Sequence, residues 1–210
     1  MATAYTEWLP AIQPYVPNCP SPMIIEAVRQ ACIDFCESSG YLRANLDPFN
    51  TVQSDDTYEL TAPIDTVVCR VLHVRCGDRT VEAATQESLE QETNRWRSLS
   101  GPPVRYIQPD QDTIILNPVP NGIEAVYVFA TLRPSQASGG VDDQIFERFK
   151  DRITSGALAR LMAMPNLPWS NPELSGYHAG IYGGGVSDAA DSAARGLTNA
   201  VRLRVRPRFL

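Results

Sequence analysis

Two amphipathic helical patterns, set far apart along the chain, constrain its fold more than any other feature. The first opens at Ser21-Pro22, where Ser21 can cap free amide groups and Pro22 suits the first helical turn. Ile24, Ile25, Val28, Ala31, Cys32, Phe35 and Cys36 then recur at three- and four-residue spacing, and Gly40 supplies a C-terminal stop. A lone helix cannot bury such a stripe and is marginal in water, so it needs a helical partner. None follows until Asp142 or Asp143 caps a helix running to Met164, with Ile145, Phe149, Ile153, Ala157, Leu158, Leu161 and Met162 on its apolar face and Pro165 ending it. Asn171-Pro172 starts a third helix, which Gly183-Gly184-Gly185 interrupts or bends before Ala189, Ala190, Ala193, Ala194 and Leu197 resume it. The first helix must pack on the later ones, and whatever lies between is an insertion.

Residues 51–133 carry strand and turn signals. Thr57 to Leu60 reads as a short strand. Val67 to Cys76 is rich in β-branched residues and ends at the turn pair Gly77-Asp78, with Arg79 to Ala83 as the return strand. Glu87 to Trp96 is polar and reads as a short helix or loop. Val104 to Gln108, Thr113 to Leu116 and Ile123 to Leu132 are further strands, separated by proline- and glycine-rich turns. The expected fold class is α+β: a helical body of three to four helices with an inserted small antiparallel β-sandwich or barrel lobe and an extended C-terminal arm. Residues 1–50 and 134–200 form the body, 51–133 the lobe and 201–210 the arm. Met1 to Asn18, punctuated by proline, is expected to be extended.

The residue inventory excludes several kinds of chemistry. Lys150 is the only lysine and no phosphate-loop pattern occurs; the triple glycine does not follow a strand and lacks dinucleotide spacing. Only two histidines are present: His73 in a strand pattern, expected to be partly buried and structural, and His178 on a helix beside Tyr177, expected to pack or to serve an interface. Five irregularly spaced cysteines do not form the paired spacings of a zinc site and read as buried, reduced thiols. Asp55-Asp56 and Asp142-Asp143 precede ordered elements and serve turns and caps; Glu87, Glu90 and Glu92 form a solvated acidic patch. No catalytic, cofactor or metal site is expected. The net charge of −6 argues against a general nucleic-acid coat. No apolar run is long enough to span a bilayer and the first ten residues lack a basic signal-peptide region, so assembly in a cytoplasm is expected. Trp8 and Trp169, each near prolines, are read as anchors that pin loops onto a core or onto a neighbouring subunit.

In the last ten residues Arg202, Arg204, Arg206 and Arg208 alternate with Val201, Leu203, Val205 and, at the end, Phe209. A period of two puts the guanidinium groups on one face of an extended segment and the apolar groups on the other. Such a segment suits strand addition to a partner's sheet edge, or a groove. A solvated basic tail and a contact to DNA are the other readings the pattern permits.

The order of motifs resembles that of head-to-tail adaptor, or connector, proteins of tailed bacteriophages. The resemblance is carried by Val16-Pro17-Asn18-Cys19-Pro20-Ser21-Pro22 with the following Ala27 to Cys36, and by Tyr58-Glu59-Leu60, Trp96 and Gly101-Pro102-Pro103-Val104-Arg105-Tyr106. Ile114 to Pro120, Gly156 to Met162, Pro168-Trp169 and Asn171-Pro172 extend it, so the blocks span nearly the whole chain. The middle region is also similar to the tail tubular A class of short-tailed phages. The resemblance implies a virion protein of the neck that docks on the portal protein after DNA packaging. It implies a homo-dodecameric ring that extends the DNA channel and offers a platform to a downstream tail or nozzle protein. Double-stranded DNA would pass through the lumen without sequence-specific binding. It favours docking of the arm on the portal or a neighbouring subunit through Arg202, Leu203, Arg204, Val205, Arg206, Arg208 and Phe209. The alternative is a tail accessory module whose β lobe recognises a peptide or glycan.

Overall fold

The structure is a computed structural model and describes residues 2–93 and 95–196. In chain order the elements are β1 (Ala2–Ala4), α1 (Leu9–Ile12), α2 (Ser21–Ser39), β2 (Arg43–Asn45), β3 (Phe49–Asn50), β4 (Thr57–Glu59), β5 (Thr66–Cys76) and β6 (Arg79–Ala83). Then come α3 (Gln86–Glu92), β7 (Ser100–Gly101), β8 (Arg105–Ile107), β9 (Thr113–Asn117), β10 (Val119–Pro120), β11 (Ala125–Pro134), β12 (Gly140–Asp142), α4 (Asp143–Met162) and α5 (Pro172–Arg195). The fold is α+β, with helices α2, α4 and α5 packed together and a curled mixed sheet inserted between α2 and α4.

The first stripe finds its cover where the sequence demanded it. Ile24, Val28, Ala31, Cys32, Phe35 and Cys36 of α2 share one buried cluster with Ile145, Ile153, Ala157, Leu158 and Leu161 of α4. Directional contacts fix how the helices sit. Arg160 of α4 pairs with Asp34 of α2, and the Tyr182 hydroxyl of α5 donates to the Ala31 carbonyl at 2.8 Å. α2 ends as expected at Gly40, whose φ of 55° is left-handed backbone that glycine adopts at little cost. Its start differs: Pro20 is the extended N-cap residue, Ser21 is already helical, and no side chain caps this end. Asp142 caps α4 by accepting from the Gln144 amide at 2.9 Å, and Asn171 caps α5 through the Leu174 amide at 3.1 Å.

Two expectations for the helical part are corrected. α5 runs unbroken from Pro172 to Arg195, so the triple glycine neither interrupts nor ends it. The reason lies partly in close packing. A Cβ on Gly185 would lie 2.6 Å from the Arg152 side chain, and one on Gly156 of α4 would lie 2.5 Å from the Tyr182 ring, so the two helices approach each other at glycines. The N-terminal segment is also not extended beyond β1. It winds through short helical turns from Tyr5 to Tyr15. Pro10 and Pro14 sit in first turns, where the missing N–H is not needed. Tyr5, Trp8, Ile12 and Val16, three to four residues apart, all point into the helical core. β1 then pairs antiparallel with β12, and the Tyr5 and Ser138 hydroxyls share a hydrogen bond of 2.7 Å.

In the main sheet the strand order is β2-β11-β5-β6-β8-β9-β4, with β3 also paired to β11. β5 and β11 form the long central ladder, with bulges between Phe129 and Ala130 and between Thr131 and Leu132. The sheet is mixed, because β6 pairs with β8 in parallel across the α3 excursion. Strands β2 and β3 precede residue 51 and still belong to this sheet. One side of β5 and β11, through Val68, Val71, Val74, Val126, Val128 and Leu132, faces Tyr58, Leu60, Tyr106, Ile114 and Leu116 across a single core. The outer faces of these two layers therefore look away from each other. Over the second layer, α3 seats Leu89 against Trp96 and Ile107.

Candidate docking surfaces

The arm residues Arg202, Leu203, Arg204, Val205, Arg206, Arg208 and Phe209 lie outside the described residues. The tryptophan anchors are placed. Of the two positions open to them, a core or a neighbouring subunit, both indoles occupy the core of their own chain. Trp8 is fully buried, meets Phe146 edge-on at 4.7 Å and donates from Nε1 to the Lys150 carbonyl at 3.3 Å. Trp169 packs in the same cluster, and its Nε1 finds no hydrogen-bond partner among the described residues.

The five cysteines are all free thiols. Cys32 and Cys36 are buried in the helical core, where burial pushes both thiols far above their ordinary range. Burial raises Cys69 and Cys76 to about 11, in Cys76 with help from the nearby Glu124 carboxylate. No group of three metal-ligating side chains converges among the described residues. No described helix is long and apolar enough to cross a membrane.

The histidines are spread rather than gathered. His178 sits edge-on to Tyr15 and Tyr177, with its imidazole held below its ordinary range by burial. His73 differs from expectation. The strand pattern suggested partial burial, but its ring lies on the outer face of β5, exposed to solvent and stacked on Phe129 at 6.3 Å with an interplanar angle of 11°. His73 alternates with the buried Val74 and Cys76 and so faces outward with Arg75.

What the chain does present is surface. On the outer face of β5 and β11, Arg75 lies over the Tyr127 ring at 4.8 Å, with His73 two residues before it, and Arg70, further along β5, is exposed beside a cleft shared with Glu37 and Arg43. A cleft of about 290 Å³ opens where the sheet meets β12, walled by Leu42, Ala44, Leu132 and Val141, with the fully exposed Ile64 at its rim. On α5, Gly176, Gly180, Gly183 and Gly184 leave open space where a Cβ would stand. The sequence signal for the first of these surfaces was the alternation of Tyr127 and Phe129 with buried valines, which points them away from the core.

Helices α2, α4 and α5 cover one another, and the curled sheet inserted between α2 and α4 carries exposed arginine and tyrosine side chains on its outer face. The chain matches the SU10 adaptor protein family across residues 2–206, and it belongs to that family. It is thus a bacteriophage adaptor, a structural protein of the virion. No curated protein sequence matches the chain.

Proposed function

We propose that this chain is one subunit of the head-to-tail ring of a tailed phage, similar to the tail tubular A class. The ring docks on the portal once the genome is packaged, extends the DNA channel and offers the attachment platform for the next tail component. Copies assemble as a homo-dodecamer in the host cytoplasm and remain in the neck of the virion. The C-terminal segment, with its alternating arginines, engages the portal or an adjacent subunit, as its period-two pattern suits.

The observation that carries this reading is the family match over 2–206, which takes in both the helical part and the inserted sheet. A net charge of −6 fits a conduit, because like charge keeps DNA from adhering to the wall. The test is to mix the protein with the portal encoded by the same genome and weigh the complex. A saturable complex with one copy per portal subunit is expected, and removal of residues 199–210 should weaken it. No complex with a well-formed portal would overturn the reading.

A further inference from the structure

We infer, resting on the ring reading, that neighbouring copies meet through opposite flanks of the inserted sheet. The basic, aromatic outer face of β5 and β11 on one copy packs against the acidic outer flank of the second layer on the next.

The first flank carries Arg70, His73, Arg75 and Tyr127 in the open. Among the described residues neither Arg70 nor Arg75 has an ion-pair partner. Tyr127 is 46% exposed although its neighbours Val126 and Val128 are buried. Solvent-facing arginine against tyrosine is the composition of interface centres, where a planar cation and a rigid ring give much contact for little ordering. The nearest strand, β6, adds Glu82, which is in register with Arg105 of β8.

The second flank is acidic. Glu59 on β4, Asp110 and Asp112 in the turn before β9, and Glu87 and Glu90 on α3 are all exposed and have no ion-pair partner among the described residues. Of the cations nearby, Arg105 is paired to Glu92 and Arg97 lies over the Trp96 ring, which leaves Arg95. The acids therefore outnumber the free cations.

These flanks are the outer faces of two layers that share one core, so they point away from each other. Complementary patches on opposite sides of one molecule cannot satisfy each other within a copy. They satisfy each other between copies, head to tail, and such a contact closes into a ring when the rotation per step allows it. Complementary charge also fixes which face meets which and speeds encounter.

The experiment loads full-length protein onto the portal of the same genome and reads ring mass against concentration. Arg70→Glu with Arg75→Glu should raise the concentration needed for half-loading on the order of tenfold, as a lost interfacial charge pair does. Adding Glu59→Arg and Asp112→Arg to that variant should restore loading. Unchanged loading by the Arg70→Glu/Arg75→Glu protein would overturn the inference while leaving the ring reading intact; failure of wild-type protein to load would instead sink the ring reading and the inference with it. Normal loading accompanied by a loss of salt-sensitive retention on double-stranded DNA would assign the basic face to DNA and overturn the inference. A second readout does not depend on charge reversal. With Tyr127→Cys and Asp112→Cys together in one chain, a short bifunctional maleimide should yield a ladder of covalent oligomers on the portal. Bands confined to monomer would overturn the contact.

Discussion

Single glycines carry opposite meanings on the two sides of α5. Gly156 of α4 faces the Tyr182 ring so closely that any Cβ must displace it, whereas Gly183 and Gly184 look into open space. Gly156→Ala should lower unfolding free energy by about 1–3 kcal/mol through overpacking. Gly184→Ala should raise that of the isolated subunit by up to about 1 kcal/mol through helix propensity. Denaturant unfolding of the two variants beside the parent checks both signs. None of this contrast was legible in the sequence, where the glycine run read as a break. A glycine that permits close approach and one that merely weakens a helix look the same until the neighbouring helix is placed. The two tryptophans lie in the core of their own chain, a placement the sequence left open. The prolines at positions 10 and 14 obscured the spacing of Tyr5, Trp8, Ile12 and Val16, which turns the segment inward.

Elements begin and end mostly where short-range chemistry says they should. Asp142 and Asn171 each accept a backbone amide at a helix start, and Asp142→Ala or Asn171→Ala should cost about 1 kcal/mol by the same unfolding measurement. Ser21→Ala should cost much less, because Ser21 lies inside α2 and makes no cap. The strands of β5, β6, β8, β9 and β11 were readable from β-branched runs and turn pairs. β2 and β3 were not, since Arg43–Asn45 and Phe49–Asn50 are short and contain no β-branched residue to mark them. The parallel pairing of β6 with β8 was hidden for a different reason: it depends on α3 carrying the chain across the sheet, and no local pattern records that crossing.

Taken whole, the molecule holds its buried acids protonated. Burial raises the Tyr5 phenol to about 12, against its hydrogen bond with Ser138, which opposes the shift. The Cys69 and Cys76 thiols stand near 11, where a free thiol would titrate at 9.0. These groups keep their protons more tightly folded than unfolded. Their contribution is complete below the unfolded value and is lost as pH rises toward the folded one. Stability should therefore hold from neutrality to about pH 9 and fall steadily above it, with a thermal melt in alkaline buffers as the check. Burial of the two clusters was foreseeable from their stripes and alternation, and so was the insertion of sheet into helix. The opposite placement of the basic and acidic faces was not, because the faces of a sheet become opposite only once its two layers close on one core.

Where the chain leaves the helices and where it returns are not far apart. The Leu132 amide donates to the Leu42 carbonyl at 2.8 Å, and Leu42 packs against both cores. The sheet is thus attached like a plug with two adjacent pins. Exchanging everything between those pins for another compact domain, one whose ends are equally close, would leave the helical stack its own partners. Closely spaced entry and exit points are what let one compact unit stand in for another without disturbing its host.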